Sequence, residues 1–231
     1  MTDNNIDIGE RRLYKIAQNI SWFLFITLWF NLSFVPLFFL FLFVEPTLLN
    51  IVWYLIGLIP LGPAIGALLG ATIRVIEEDD FSEPGRDFRR YYKQNFIDTM
   101  KIWLPYLFLL YLFSVNINYY IALTGGTLAL LGYLFVVLSL ILTLYLIPLF
   151  LIQTKFEFRY KDLLKLGWYY FFMKMKLTFG NFLFLFIIAF FVLVISEWLL
   201  LALPALLSYI WVLYNYSIIK DVKAHFVKQE E

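Results

Sequence analysis

The chain has 231 residues, of which 62% are hydrophobic and 15% charged, with a formal net charge of +1. Soluble domains run nearer 45–50% apolar and about 25% charged, so this much Phe, Leu, Ile and Tyr excludes a water-soluble globule. Cysteine is absent, which excludes a disulfide framework, a thiol nucleophile and a thiolate metal site.

A bilayer core about 30 Å thick needs roughly 20 apolar residues as helix. Six stretches reach or approach that length: 20–44, 48–73, 100–118, 123–152, 177–196 and 199–219. They predict an all-α polytopic membrane protein, a single transmembrane domain over residues 1–231. The first stretch is too long for a signal-peptide core and is expected to be a retained span. The runs lack the period-two alternation of barrel strands.

All 18 Lys and Arg residues lie in four groups. Arg11, Arg12 and Lys15 precede the first span. Arg74, Arg86, Arg89, Arg90, Lys93 and Lys101 lie between or beside the second and third. Lys155, Arg159, Lys161, Lys165, Lys174 and Lys176 separate the fourth and fifth, and Lys220, Lys223 and Lys228 follow the sixth. The connections near Glu45, Asn118 and Glu197 carry no Lys or Arg. Basic short loops stay cytoplasmic, so segments 1–19, 74–99, 153–176 and 220–231 are expected inside, with both termini, and three helical hairpins reach outward. Tyr14, Tyr92 and Tyr170 recur at a spacing of 78. That fits either a parallel repeat or the aromatic belts found at any inner interface. Glu45 and Glu197 are the outward-facing charges, read as two separately solvated loop ends.

Taken in order, the first span contains Asn31 and Ser33. The second holds Pro60-Leu61-Gly62-Pro63-Ala64-Ile65-Gly66-Ala67-Leu68-Leu69-Gly70-Ala71. Gly62, Gly66 and Gly70 fall every fourth residue, a helix-packing stripe for membrane helices. The two prolines are expected to break the helix just before it, and the freed carbonyls then need a partner. Glu77-Glu78-Asp79-Asp80 follows as a run expected to be solvated, with Pro84-Gly85 turning the chain.

Next, Phe88, Tyr92 and Phe96 recur at helical spacing, as do Leu164, Trp168, Phe171 and Met175 in the second long connection. Both segments read as amphipathic helices in the inner interface. Arg86, Arg89, Arg90, Lys93, Lys161 and Lys165 are their candidate contacts for an anionic lipid or a partner, ordinary membrane anchoring being the plainer reading. Pro148 is expected to kink or end the fourth span.

An ionisable residue at mid-membrane would flag function, because a buried charge costs about 2.5–3.5 kcal/mol even on insertion scales. The span interiors carry none. Asn31, Ser139, Thr143, Ser208 and Asn215 are the polar residues that a path between hairpins would use; interhelical hydrogen bonds of about 0.6 kcal/mol account for them equally well. The one histidine, His225, lies in the C-terminal tail. No catalytic motif is present, so the chain reads as a non-enzyme without a cofactor or metal site. The basic clusters sit beside spans, which favours membrane lipids over nucleic acid as their partner.

Three segments then resemble the motif succession of the YesL-like bacterial membrane proteins, a family defined as a domain of unknown function. They are Asn31-Leu32-Ser33-Phe34-Val35-Pro36, Pro60 through Leu68, and Asp87-Phe88-Arg89-Arg90-Tyr91-Tyr92-Lys93-Gln94-Asn95-Phe96. The likeness is clearest over about residues 10–110. The first two segments stand about 25 residues apart, more than in many members, so the alignment of the first hairpin departs from the family pattern. The resemblance implies a bacterial plasma-membrane protein and an accessory role in oligosaccharide uptake, with a sugar-transporter permease as partner. It carries over no site residue. The alternative expectation is a small permease or channel with a pore between hairpins.

Overall fold

The computed structural model describes residues 3–124, 126–194 and 198–226, and among them every regular element is helical. The helices are α1 (Asp3–Asn31), α2 (Val35–Phe43), α3 (Ile51–Gly57), α4 (Leu61–Glu78), α5 (Pro84–Asn118), α6 (Ala129–Lys155), α7 (Tyr160–Met173), α8 (Met175–Val194), the single turn α9 (Leu199–Ala202) and α10 (Pro204–His225). Five helical stretches are long and apolar enough to cross a membrane: Leu13–Phe43, Ile51–Glu78, Pro84–Ile121, Gly126–Lys155 and Met175–Val194. They mark a multi-pass membrane protein. α8 makes the point most directly, because Asn181 is its one buried residue while Phe179, Phe186, Phe190 and Leu193 stand exposed. A water-soluble chain could not present that surface. The sixth expected stretch, 199–219, divides into α9 and α10, and α10 runs on to His225.

Prolines account for the breaks. Pro36 opens α2, and the chain ahead of it tightens into a 3-10 turn over Leu32–Phe34, because proline cannot donate the next helical hydrogen bond. Residues 58–60 form a turn between α3 and α4. The Leu58 carbonyl there accepts the Leu61 N–H at 3.1 Å and also the Trp103 indole N–H of α5 at 2.9 Å. Pro148 behaves otherwise. α6 continues through it to Lys155, so it does not end the helix.

Two expectations need correction. The segment 84–99 is not a separate interfacial helix: it is the first half of the 35-residue α5, since nothing after Pro84 breaks helical geometry before the membrane. Only the second of the two expected surface helices, α7, stands apart; it turns Leu163, Leu166, Gly167 and Tyr170 to the core, beside Leu164, Trp168 and Phe171 of the expected stripe, whose last residue, Met175, begins α8. Pro84 and Gly85 do not turn the chain but start α5, as suits proline in a first helical turn. The turn is made by Asp79 and Glu83, both left-handed with φ near +50°.

α4 is the hub. Its Ala64, Ala67, Ala71 and Val75 join Trp22, Ile26 and Phe30 of α1 in one buried cluster. Its Leu69 and Ile73 join a second cluster with α5, α6, α7 and α10. Small residues on two faces let the bulky side chains of both neighbours close against its backbone.

Candidate functional site

The glycine stripe faces α5. A Cβ at Gly62 would collide with the Trp103 ring. At Gly66 it would lie 3.0 Å from Thr99 Oγ1, and at Gly70 2.6 Å from the Tyr91 ring. All three positions are therefore occupied from within the chain, and the stripe is an internal seam.

At the end of that seam Arg74 reaches three carboxylates. Its guanidinium pairs with Asp87 in α5, with Glu78 at 2.8 Å and with Asp80 at 2.5 Å. The Arg74 side chain is 15% exposed and that of Asp87 6%, so this pair ties the end of α4 to the start of α5 with little water. Asp80 also accepts the Ser82 backbone N–H and hydroxyl, both at 2.9 Å. These bonds, the backbone one foremost, hold its carboxyl below the usual range. Glu77 pairs with Lys155 and accepts from Tyr216 at 3.4 Å, and Asp79 pairs with Lys15 at 2.8 Å. The acidic run is thus not merely solvated. Each of its four carboxylates meets a cation of this chain, which gathers the ends of α4, α6 and α10 and the start of α5 around the early part of α1.

The candidate surface cations divide into two groups. Arg86 pairs with Glu83 at 2.7 Å. Arg89 lies over the Trp29 ring at 5.1 Å and donates to the Gly85 carbonyl, and Arg90 lies 6.0 Å over Tyr91. Lys93, Lys161 and Lys165 are exposed.

The five polar span residues are not strung along one path. Asn31 donates to the Leu201 carbonyl at 2.7 Å. Ser139 donates to Phe135 of its own helix at 2.8 Å. Thr143 lies 3.0 Å from the Tyr106 hydroxyl, and Ser208 3.0 Å from Thr72. Asn215 and Asn181 exchange two amide hydrogen bonds of 2.9 Å, and the Trp211 indole donates to Asn181 at 2.8 Å. Thr143 and Ser208 do share a cavity of about 360 Å³ at the centre of the bundle. Its walls are otherwise mainly aliphatic and aromatic, among them Phe34, Leu68, Leu146, Phe150 and Leu185. Sequence reasoning missed Thr72, Tyr106 and Asn181, the partners in these pairs. A polar residue in an apolar run is itself the available signal, but nothing in the chain says which two such residues will meet.

Tyr14, Tyr92 and Tyr170 occupy unlike settings: exposed in α1, half-buried in α5 and buried in α7. Glu45 is exposed, and Glu197 lies outside the described residues.

With every regular element among its described residues helical, and apolar on its flanks, the protein is of the multi-pass membrane class. Residues 46–117, less than a third of the chain, match the model of a family described as "Protein of unknown function, DUF624". The match runs over α3, α4 and nearly all of α5, and so takes in the glycine seam and the Arg74–Asp87 pair. No curated protein and no solved structure matches the chain.

Proposed function

We propose that this protein is a non-enzymatic integral component of the bacterial plasma membrane that works beside a transport complex. Its YesL-like resemblance makes oligosaccharide uptake the process and a sugar-transporter permease the partner. In this reading α10, with α9 before it, is the sixth crossing. The basic ends then face the cytoplasm with both termini, following the distribution of Lys and Arg.

One observation carries the choice of an accessory over a conduit. Ser139, Thr143, Ser208 and Asn215, and the Asn31 NH₂ group, bond to other side chains or to backbone, around a central cavity that is almost wholly apolar, while the Asn31 amide oxygen and the Trp22 indole N–H are buried without a partner. A conduit for sugars or ions needs polar groups turned toward the solute, whereas paired groups serve helix association. With the glycine stripe filled from within, contact with a partner falls to the exposed apolar sides of α1, α2 and α8 and to Lys93, Lys161 and Lys165.

The test is isolation from native membranes in a gentle detergent, with co-purifying proteins identified by mass spectrometry. The expected result is a stable transporter subunit in the complex. Purified protein that is recovered alone, and that by itself carries an oligosaccharide into proteoliposomes, would overturn the proposal in favour of a permease.

A further inference from the structure

A second cavity lies at the basic end of the bundle, about 750 Å³ in volume, bounded by the first half of α5, the end of α6, the connection 156–159 and the start of α7. Its walls are polar where the central cavity is apolar, and they hold hydrogen-bond donors with nothing to bind. Thr154 is 7% exposed, and its hydroxyl has no partner. The Asn95 amide nitrogen is buried and also without a partner. Gln153 accepts from Thr99 at 3.1 Å through its amide oxygen, which leaves its NH₂ group for the cavity. A buried polar group without a partner costs about 1–3 kcal/mol, so two in one wall call for a ligand that supplies acceptors.

The charges narrow the class. Asp98 is held by Lys101 at 2.6 Å, and Lys155 by Glu77. Arg159 and Glu157 complete the charged lining, both exposed at the rim. Arg159 is also the residue before the first turn of α7 and provides no side-chain cap. Asp162 and Leu163 donate their backbone N–H groups to the Arg159 carbonyl at 2.9 Å, so those of Tyr160 and Lys161 are left at the positive end of the helix dipole, in a first turn that also carries the exposed Asp162 carboxylate. Phe156 and Phe158, 6.1 Å apart, supply an apolar wall beside the donors.

We propose that this cavity binds a phosphate ester. The phosphate is held by Arg159, the α7 N-terminus and the Thr154 hydroxyl, and its organic part lies against Phe156 and Phe158. A tetrahedral oxyanion fits because it offers several acceptors to donors that converge from different elements. The volume leaves room for more than the phosphate. The same chemistry belongs to a soluble phosphate ester and to a phospholipid headgroup.

The test uses the full chain in nanodiscs. One arm titrates glycerol 3-phosphate by calorimetry into phosphatidylcholine discs. The other measures, by native mass spectrometry, retention of phosphatidylglycerol against phosphatidylcholine in mixed discs. Saturable binding in the first arm identifies a soluble ester; selective retention in the second identifies a headgroup. In either arm Arg159→Gln is expected to weaken binding about ten-fold or more, and Thr154→Val several-fold without loss of folded protein. Lys223→Gln, away from the cavity, should leave binding unchanged. No saturable binding in either arm, or binding equal in wild type and Arg159→Gln, overturns the proposal.

Discussion

α4 and α8 are both apolar helices, yet they are held in opposite ways. α4 is buried along most of its length, its glycines closed over by Trp103, Thr99 and Tyr91. α8 buries Asn181 and little else, and it meets α10 through the reciprocal amide pair with Asn215, the Trp211 indole on Asn181, the Tyr214 hydroxyl on the Lys176 carbonyl and the Tyr214 ring against Gly180. Within a bilayer the hydrophobic effect does not press helices together, because lipid tails are as apolar as leucine. What remains is close backbone approach, which α4 uses along three glycines and α8 at Gly180 alone, and hydrogen bonding between helices, on which α8 leans more heavily. The first spreads over many contacts, and the second depends on a few atoms.

The comparison can be broken most severely at Arg74. Arg74→Gln leaves Asp87 buried without its cation, and loss of a buried partner costs about 3–5 kcal/mol. The expected outcome is little folded protein, read as the monodisperse fraction on size exclusion in mild detergent. Gly62→Leu should come next. The added side chain has no space beside the Trp103 ring, and overpacking of this kind costs about 3 kcal/mol. A melting temperature unchanged from wild type would show that the α4–α5 seam is looser than described.

Asn181→Leu should be milder, about 2 kcal/mol, since it removes three interhelical hydrogen bonds worth about 0.6 kcal/mol each. It should free α8 from α10 while the α4–α5 pair stays intact, a difference that hydrogen exchange on the two helix pairs would detect. The double variant Asn181→Leu, Asn215→Leu should cost less than the sum of the single changes, since each single change leaves the other amide unpaired.

The smallest effect concerns acid. The Ser82 bonds depress the Asp80 carboxyl in the folded state. The stabilisation from this group is therefore complete above its ordinary carboxylate value and disappears as the pH falls through the depressed one. A thermal-melt series in acid should show Ser82→Ala losing part of that dependence, while the α8–α10 pair, which carries no charge in its amide contact, remains indifferent.

The candidate site was legible in unequal parts. Gly62, Gly66 and Gly70 announced a seam by their spacing, because a four-residue period maps onto one helical face whatever packs there. Their partners on α5 were not legible, since Trp103, Thr99 and Tyr91 look like any aromatic or small polar residues of a span. The acidic run misled for a related reason. Charge beside a membrane suggests solvation, and its pairing with Lys15 and Lys155 depends on α1 and α6 converging on the end of α4, while Arg74 and Glu78 pair within α4 itself.

By itself the sequence determined the class of the protein, the approximate extent of its apolar helices and the break at Pro60 and Pro63. These follow from local chemistry: hydropathy sets where a helix can cross, and the close pair of prolines sets this break, whereas the single Pro105 and Pro148 lie inside continuous helices. Only the tertiary structure decided that 84–118 is one helix, that polar span residues meet in pairs, and that a donor-rich cavity opens at the start of α7. Such features depend on which side chains from distant segments face each other, and in a chain this uniformly apolar many arrangements would bury the same surface.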